Sequence, residues 1–150
     1  MLFVHLEHIE FNKEVDMLDK FQCKYLIHFY GVCFIPNKTY RVTEFSQFGS
    51  LQNLMKKREI SKLWMYMRIK LLIDDAKGIE YLHKNGILDW DIKVDTFLVI
   101  TLDEKMKVNC KLTYFGSSRN LNMLMTNMTF TKCIGTLKYI ALEVLDRKHI

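Results

Sequence analysis

Between Leu63 and His83 the chain carries its longest periodic signal, and the segments after it narrow the folds available. Met65, Ile69, Leu72, Ile73, Ala76, Ile79 and Leu82 recur at steps of three and four, the spacing of one face of an α-helix. Asn85-Gly86 is a stop signal, because Gly, and sometimes Asn, adopts the left-handed backbone that ends helices. Two short β-type runs come next, Phe97–Ile100 and Val108–Leu112, joined by the polar connection Thr101–Lys105. In the second run Val108, Cys110 and Leu112 alternate with Asn109 and Lys111, as on the two sides of a strand. One long helix therefore sits among short strand pairs.

The upstream half has the same mixed character. Phe11, Val15, Leu18 and Phe21 or Gln22 mark one face of an earlier helix. Phe29–Ile35 and Thr39–Phe45 read as strands joined by the turn Pro36-Asn37-Lys38. Gly49-Ser50 ends that pair, and Ser50 is placed to cap a short helix through Met55. From Phe115 to Lys138 the pattern dissolves into Ser, Thr, Asn and Met, and a loop of that length is usually functional or mobile.

Composition limits the alternatives. A length of 150 residues suits one domain, and 49% apolar with 26% charged residues is the globular range. A single Pro and six Gly argue against a linker or a collagen-like segment. The net charge is +5, but its densest basic run is only Lys56-Lys57-Arg58, which reads as a solvated helix end and not as a nucleic-acid patch. Cys23, Cys33, Cys110 and Cys133 form no C-x-x-C pair, and they read as buried thiols of a reducing compartment. His5, His8, His28, His83 and His149 lack metal-ligand spacing. Met1–Val4 is too short for a signal peptide, and no stretch approaches the ~20 apolar residues of a membrane span. These features imply no membrane, no nucleic-acid partner and a cytoplasmic location.

The chemistry concentrates in Asp89-Trp90-Asp91-Ile92-Lys93-Val94-Asp95-Thr96. Asp89 and Asp91 invite a paired-carboxylate reading, as in glycosidases, although two acids at i, i+2 are more often loop polarity. Set beside the kinase catalytic-loop pattern H-R-D-L-x-x-x-N, the segment keeps Asp91 and replaces His by Asp89, Arg by Trp90 and Asn by Thr96. Further pieces keep the kinase order. Glu14-Val15 and Met17-Leu18 resemble the αC helix, and Phe29-Tyr30-Gly31-Val32 the next strand. Val42-Thr43-Glu44-Phe45-Ser46 with Gly49-Ser50-Leu51 resembles the hinge. Tyr81-Leu82-His83-Lys84-Asn85-Gly86-Ile87 resembles the end of αE. Thr113-Tyr114-Phe115-Gly116 stands at the D-F-G position, and Gly135-Thr136 through Ala141-Leu142-Glu143 at the stretch ending in A-P-E. The chain thus resembles a eukaryotic protein kinase domain, closer to Ser/Thr or tyrosine-kinase-like members through Lys93 and Gly-Thr-x-x-Tyr.

The resemblance implies an α+β, partial protein-kinase-like fold over residues 1–150, with 1–45 a remnant of the small lobe and 46–150 part of the large lobe. It implies an αC helix, hinge strands, an αE helix, a catalytic loop and an activation segment. On this reading the chain begins just before αC and lacks the Gly-rich strands, the strand lysine and the C-terminal helices. Asp91 would be the catalytic base and Lys93 would steady a phosphoryl oxygen, with Thr136 bonded near both. Thr43 would be the gatekeeper, Glu44 and Ser46 would offer backbone groups to adenine, and Leu98 would be its floor or a plain strand-core residue. Glu14, lacking its lysine, is expected to be a solvated helix charge. Phe115, Gly116 and Glu143 would be structural motif positions.

The metal positions are altered. The two Mg²⁺ ligands of a kinase are the D-F-G Asp and the catalytic-loop Asn; here they are Tyr114 and Thr96. A neutral phenol and one hydroxyl are poor ligands for a cation that favours carboxylates. ATP would bind weakly, and Mg²⁺ would not be held in the usual way. Asp89 under Phe115 is expected to have a raised pKa or to loosen the packing. Trp90 removes the usual receiver of a phosphate on Thr129 or Thr131. Val94, Leu137 and Leu142 stand where the family carries Pro. Met123, Met125 and Met128 read as activation-loop apolar contacts or a partner surface. Together these imply an impaired pseudokinase that acts by binding a protein partner or another kinase domain. The alternatives are an active ATP-dependent Ser/Thr-type kinase and a truncated product without function.

Overall fold

A computed structural model describes residues 2–4, 8–36, 38–113, 118–120 and 135–142, with side chains described from 14 onward and not at 118–120. Tyr114, Phe115, Gly116, Glu143, Thr129, Thr131 and the three methionines at 123, 125 and 128 lie outside the described residues. So do Cys133, His5 and His149.

The architecture is α+β, as expected. In chain order it runs β1 (Leu2–Val4), α1 (His8–Lys20), β2 (Phe29–Ile35), β3 (Lys38–Thr43), α2 (Leu51–Lys56), α3 (Met65–Lys84), β4 (Ile87–Asp89), β5 (Phe97–Val99), β6 (Cys110–Leu112) and β7 (Ser118–Asn120). The first sheet is antiparallel with the order β1-β3-β2, and two smaller pairs accompany it, β4 with β7 and β5 with β6. β1 corrects one expectation: a strand precedes α1 and lies against β3, with Leu2 opposite Thr43 and Val4 opposite Arg41. Its three apolar residues are too few to show a period, so pairing, not pattern, makes it a strand.

Several boundaries arise from local chemistry. The Ser50 hydroxyl accepts the Asn53 N–H at 3.3 Å and caps α2, and the same hydroxyl donates to Asp95 Oδ1 at 2.8 Å. One Ser thus satisfies an orphan helix donor and ties α2 to the loop after Asp91. Lys56, Lys57 and Arg58 are exposed at the end of α2, the solvated helix end expected. α3 ends at Asn85-Gly86, where Gly86 takes φ +70°, a left-handed conformation that costs other residues strain.

One contiguous core joins these elements. Leu18 of α1 and Phe21 just beyond it meet Leu26, Ile27 and Phe29; Leu51 and Leu54 of α2, Met67, Leu71 and Leu82 of α3, Ile87, Phe97, Val99, Cys110 and Leu112 complete it. Each such Leu, Ile or Phe contributes ~1.5–3 kcal/mol relative to an exposed side chain.

The orientation of α3 differs from the periodicity reading. Its buried face is Met67, Leu71, Asp74, Asp75, Gly78 and Leu82. Met65, Ile69, Leu72, Ile73 and Ala76, expected inward, are exposed, with Leu72 at 61%. The helix is apolar on two faces, and the backbone of β6 decides between them. Asp74 Oδ2 accepts the Asn109 N–H at 2.7 Å and the Cys110 N–H at 3.3 Å, so the acid must turn inward. A carboxylate on buried N–H donors is a charge-assisted bond that outweighs one apolar contact.

Asn109, just before β6, is fully buried. Its amide donates to the carbonyls of Thr101 at 3.0 Å and Asp103 at 2.8 Å, which closes the connection between β5 and β6.

Candidate active site

The loop between β4 and β5 gathers the acidic and basic residues singled out by sequence. Thr136 reaches it from far along the chain. Its N–H donates to Asp91 Oδ1 at 2.7 Å and its hydroxyl donates to the same oxygen at 2.6 Å. Lys93 Nζ donates to Asp91 Oδ2 at 2.5 Å and to Thr136 Oγ1 at 2.9 Å. The expected grouping of Asp91, Lys93 and Thr136 is therefore met in space. Gly135 makes the approach feasible: its φ is +121°, and a Cβ there would lie 2.6 Å from the Trp90 carbonyl oxygen. Only a residue without a side chain lets this backbone pass Trp90 and deliver Thr136 to Asp91.

Partial burial opposes charge on Asp91, but the bonds from Lys93 and Thr136 outweigh it and hold the carboxyl below its ordinary value. Asp91 is thus anionic at neutral pH, with both oxygens already engaged.

Asp89 behaves oppositely. Burial pushes its carboxyl above the ordinary value, partly offset by the Asp91 N–H, which donates to Asp89 Oδ1 at 3.1 Å. The Asp91 charge adds to the upward push, while Lys93 opposes it. Asp89 Oδ2 is buried without a hydrogen-bond partner. This is the direction that burial gives a carboxylate. The two carboxyls do not work as a pair: the Asp91 side chain bonds Lys93 and Thr136, and among the described residues Asp89 receives only the Asp91 backbone N–H.

Thr96 is 3% exposed. Its hydroxyl donates to the Lys93 carbonyl at 2.7 Å and accepts the Lys93 N–H at 3.3 Å. The side chain clips the loop to itself. A hydroxyl spent in this way has little capacity for a divalent cation, so the described residues do not fit the family's second metal position. Among the described residues no group of three or more His, Cys, Asp or Glu could hold a metal.

The hinge residues come directly after β3. Thr43 is buried, and its hydroxyl donates to the Glu44 carbonyl at 3.3 Å. The Glu44 N–H donates to the His28 carbonyl at 2.9 Å, while its carbonyl, beside the Thr43 hydroxyl, keeps a second lone pair. The Glu44 carboxylate accepts the His28 N–H at 2.7 Å and pairs with Lys111 of β6. The Ser46 hydroxyl lies 2.8 Å from the Val99 carbonyl and 3.0 Å from that of Gly49, which pins the chain after the hinge to β5. Leu98 is half-buried between the buried Phe97 and Val99, and it bridges to Ser50. The Glu44–Lys111 contact has no local sign in the sequence, since nothing nearby links residues that far apart.

Glu14 is the main correction here. It is 1% exposed, not solvated, and its carboxylate forms an ion pair with the Arg41 guanidinium on β3, itself 6% exposed. The helix charge has a partner, supplied by a strand remote from it in sequence.

Comparison with known proteins bears on the same region. Residues 4–150 match the family model described as "Protein kinase domain". The chain is 34% identical, over 91% of its length, to the probable serine/threonine-protein kinase drkA of Dictyostelium discoideum, of which it covers 20%. It is 33% identical over 93% of its length to the dual specificity protein kinase shkC of the same organism, covering 27% of that protein. Against the probable serine/threonine-protein kinase gdt4, also from D. discoideum, identity is 28% over 95% of this chain and 8% of the relative. The chain thus spans about a quarter or less of the length of these relatives.

Proposed function

Because this chain belongs to the protein kinase domain family, we propose that it is a catalytically impaired kinase-like domain that acts by binding a protein partner or another kinase domain. The observation that carries this reading is Thr96, whose hydroxyl is closed on the backbone of Lys93 where the family presents a metal-binding amide. Tyr114 at the position of the D-F-G Asp adds to it from the sequence. ATP supplies the transferable phosphoryl group in this family, and Mg²⁺ neutralises its charge. In this chain the Glu44 carbonyl and the Ser46 backbone would meet the base, beneath Thr43 and above Leu98. Weak, metal-independent nucleotide binding is what that set supports. With Cys23, Cys33 and Cys110 present as free thiols, the cytoplasm is the setting assumed. No helix among the described residues is long and apolar enough to cross a membrane.

One observation favours a second reading, an active Ser/Thr-type kinase: Asp91, Lys93 and Thr136 keep a closed, charge-balanced arrangement. There Asp91 would accept the proton of a substrate hydroxyl and Lys93 would face the phosphoryl oxygens. A thermal-shift titration with ATP, with and without Mg²⁺, separates the two. A small rise in melting temperature that ignores the metal is expected. A rise that requires Mg²⁺ would favour the enzyme.

A further inference from the structure

The buried ion pair between α1 and β3 supplies something that kinase chemistry normally draws from another strand. In the family a strand lysine pairs both the αC glutamate and the nucleotide phosphates. β1, the strand that leads into α1, reads Leu2-Phe3-Val4 and carries no lysine. Its last residue, Val4, stands directly opposite Arg41 in the register of β1 and β3. Arg41 is the residue paired with Glu14. We propose that Arg41 is the positioning residue of α1: the cation sits one strand over from a strand lysine's place, and it seats the glutamate-bearing helix without help from a nucleotide.

Three physical points support this assignment. First, both partners are almost fully buried, at 1% for Glu14 and 6% for Arg41. A buried carboxylate without a cation would be an uncompensated charge, so helix and strand require each other. Second, the residue type suits the task. Arginine stays charged in any environment and offers a rigid planar fork to a carboxylate, whereas a buried lysine loses its charge more readily. Third, the pair closes across two rigid elements. α1 also buries Leu18 in the core, with Phe21 just beyond its last residue, so the ion pair fixes the helix at Glu14 while apolar packing fixes its C-terminal end. A guanidinium committed to Glu14 and shielded from solvent is poorly placed to grip a phosphate, so the seat of α1 is independent of bound ATP. The kinase relationship enters only in recognising α1 as the glutamate-bearing helix.

Amide hydrogen exchange over residues 8–20 of the full chain tests this, and it reads α1 whether or not the protein transfers phosphate. The wild-type helix is expected to be protected without nucleotide and unchanged by saturating MgATP. Arg41→Val should speed its exchange roughly 100-fold, and Val4→Lys on the Arg41→Val background should restore most of the protection by returning the cation from the adjacent strand. Should Arg41→Val fail to fold, Glu14→Leu combined with Arg41→Leu is expected to fold and protect α1, because removing both charges leaves none buried alone. The proposal is overturned if Arg41→Val leaves exchange unchanged, if Val4→Lys gives no recovery in a folded protein, if the double leucine variant is no better than the single one, or if MgATP alone protects α1 tenfold or more.

Discussion

Replacing Asp75 by Val should make this protein more stable, and more so as pH rises. Asp75 sits on the buried face of α3 at 4% exposure, and both its oxygens are shut off from solvent with no nitrogen or oxygen donor in reach. Burial is the main reason its carboxyl is pushed up to about 7, the Cys110 thiol offsets part of this, and the neighbouring Asp74 adds to it. Between its ordinary value of 3.8 and about 7, the folded protein therefore holds a proton that the unfolded chain releases. Stability falls as pH rises through that window and levels off above it. At ~1.36 kcal/mol per pKa unit the full shift corresponds to roughly 4 kcal/mol, and relaxation around the acid reduces what is realised to about 2–4 kcal/mol. Asp75→Val removes the titrating group at nearly constant volume and leaves Asp74 on its two N–H donors. Urea unfolding at pH 4.5 and pH 8 should show a gain of about 1 kcal/mol or less at the lower pH and of about 2–4 kcal/mol at the higher. A variant less stable than wild type at pH 8, or a gain equal at both pH values, would refute the claim that burial of this carboxylate opposes folding.

Other residues give independent checks. Ser50→Ala should cost about 1–2 kcal/mol in urea unfolding, since it removes the cap of α2 and the bond to Asp95 together. Gly135→Ala should free residues 135–142 for faster proteolysis, because its Cβ would collide with the Trp90 carbonyl at a φ closed to alanine. Thr136→Val should raise the pKa of Asp91, seen by carboxylate NMR titration. The stability that Asp91 contributes above its unfolded pKa is lost as pH falls through the folded value, so loss of Thr136 should move that acid limb upward.

Local chemistry is readable from the sequence where one residue decides it. Ser50 marks its cap and Asn85-Gly86 its stop, because the donors and the left-handed backbone they serve lie within one turn. The grouping of Asp91, Lys93 and Thr136 is readable through family order, although 43 residues separate Lys93 from Thr136. Partners remote in sequence set the rest. α3 shows two apolar faces, and Asn109 and Cys110, which draw Asp74 inward, lie 35 and 36 residues away. Glu14 reads as solvated because no nearby residue offers it a cation, and Arg41 reaches it only once the sheet has formed. Strands as short as β1, β4 and β7 have no period to read, and they exist because a neighbour supplies their hydrogen bonds.

The central claim is electrostatic: with Thr96 folded onto Lys93 and a phenol in place of the other acid, this cleft has little to shield a triphosphate. Incubation of the purified protein with γ-labelled ATP, Mg²⁺ and a generic protein acceptor puts that claim at risk. No label transfer above that of an Asp91→Ala control is expected. Robust transfer that needs Mg²⁺ and vanishes in that control would show the claim to be wrong.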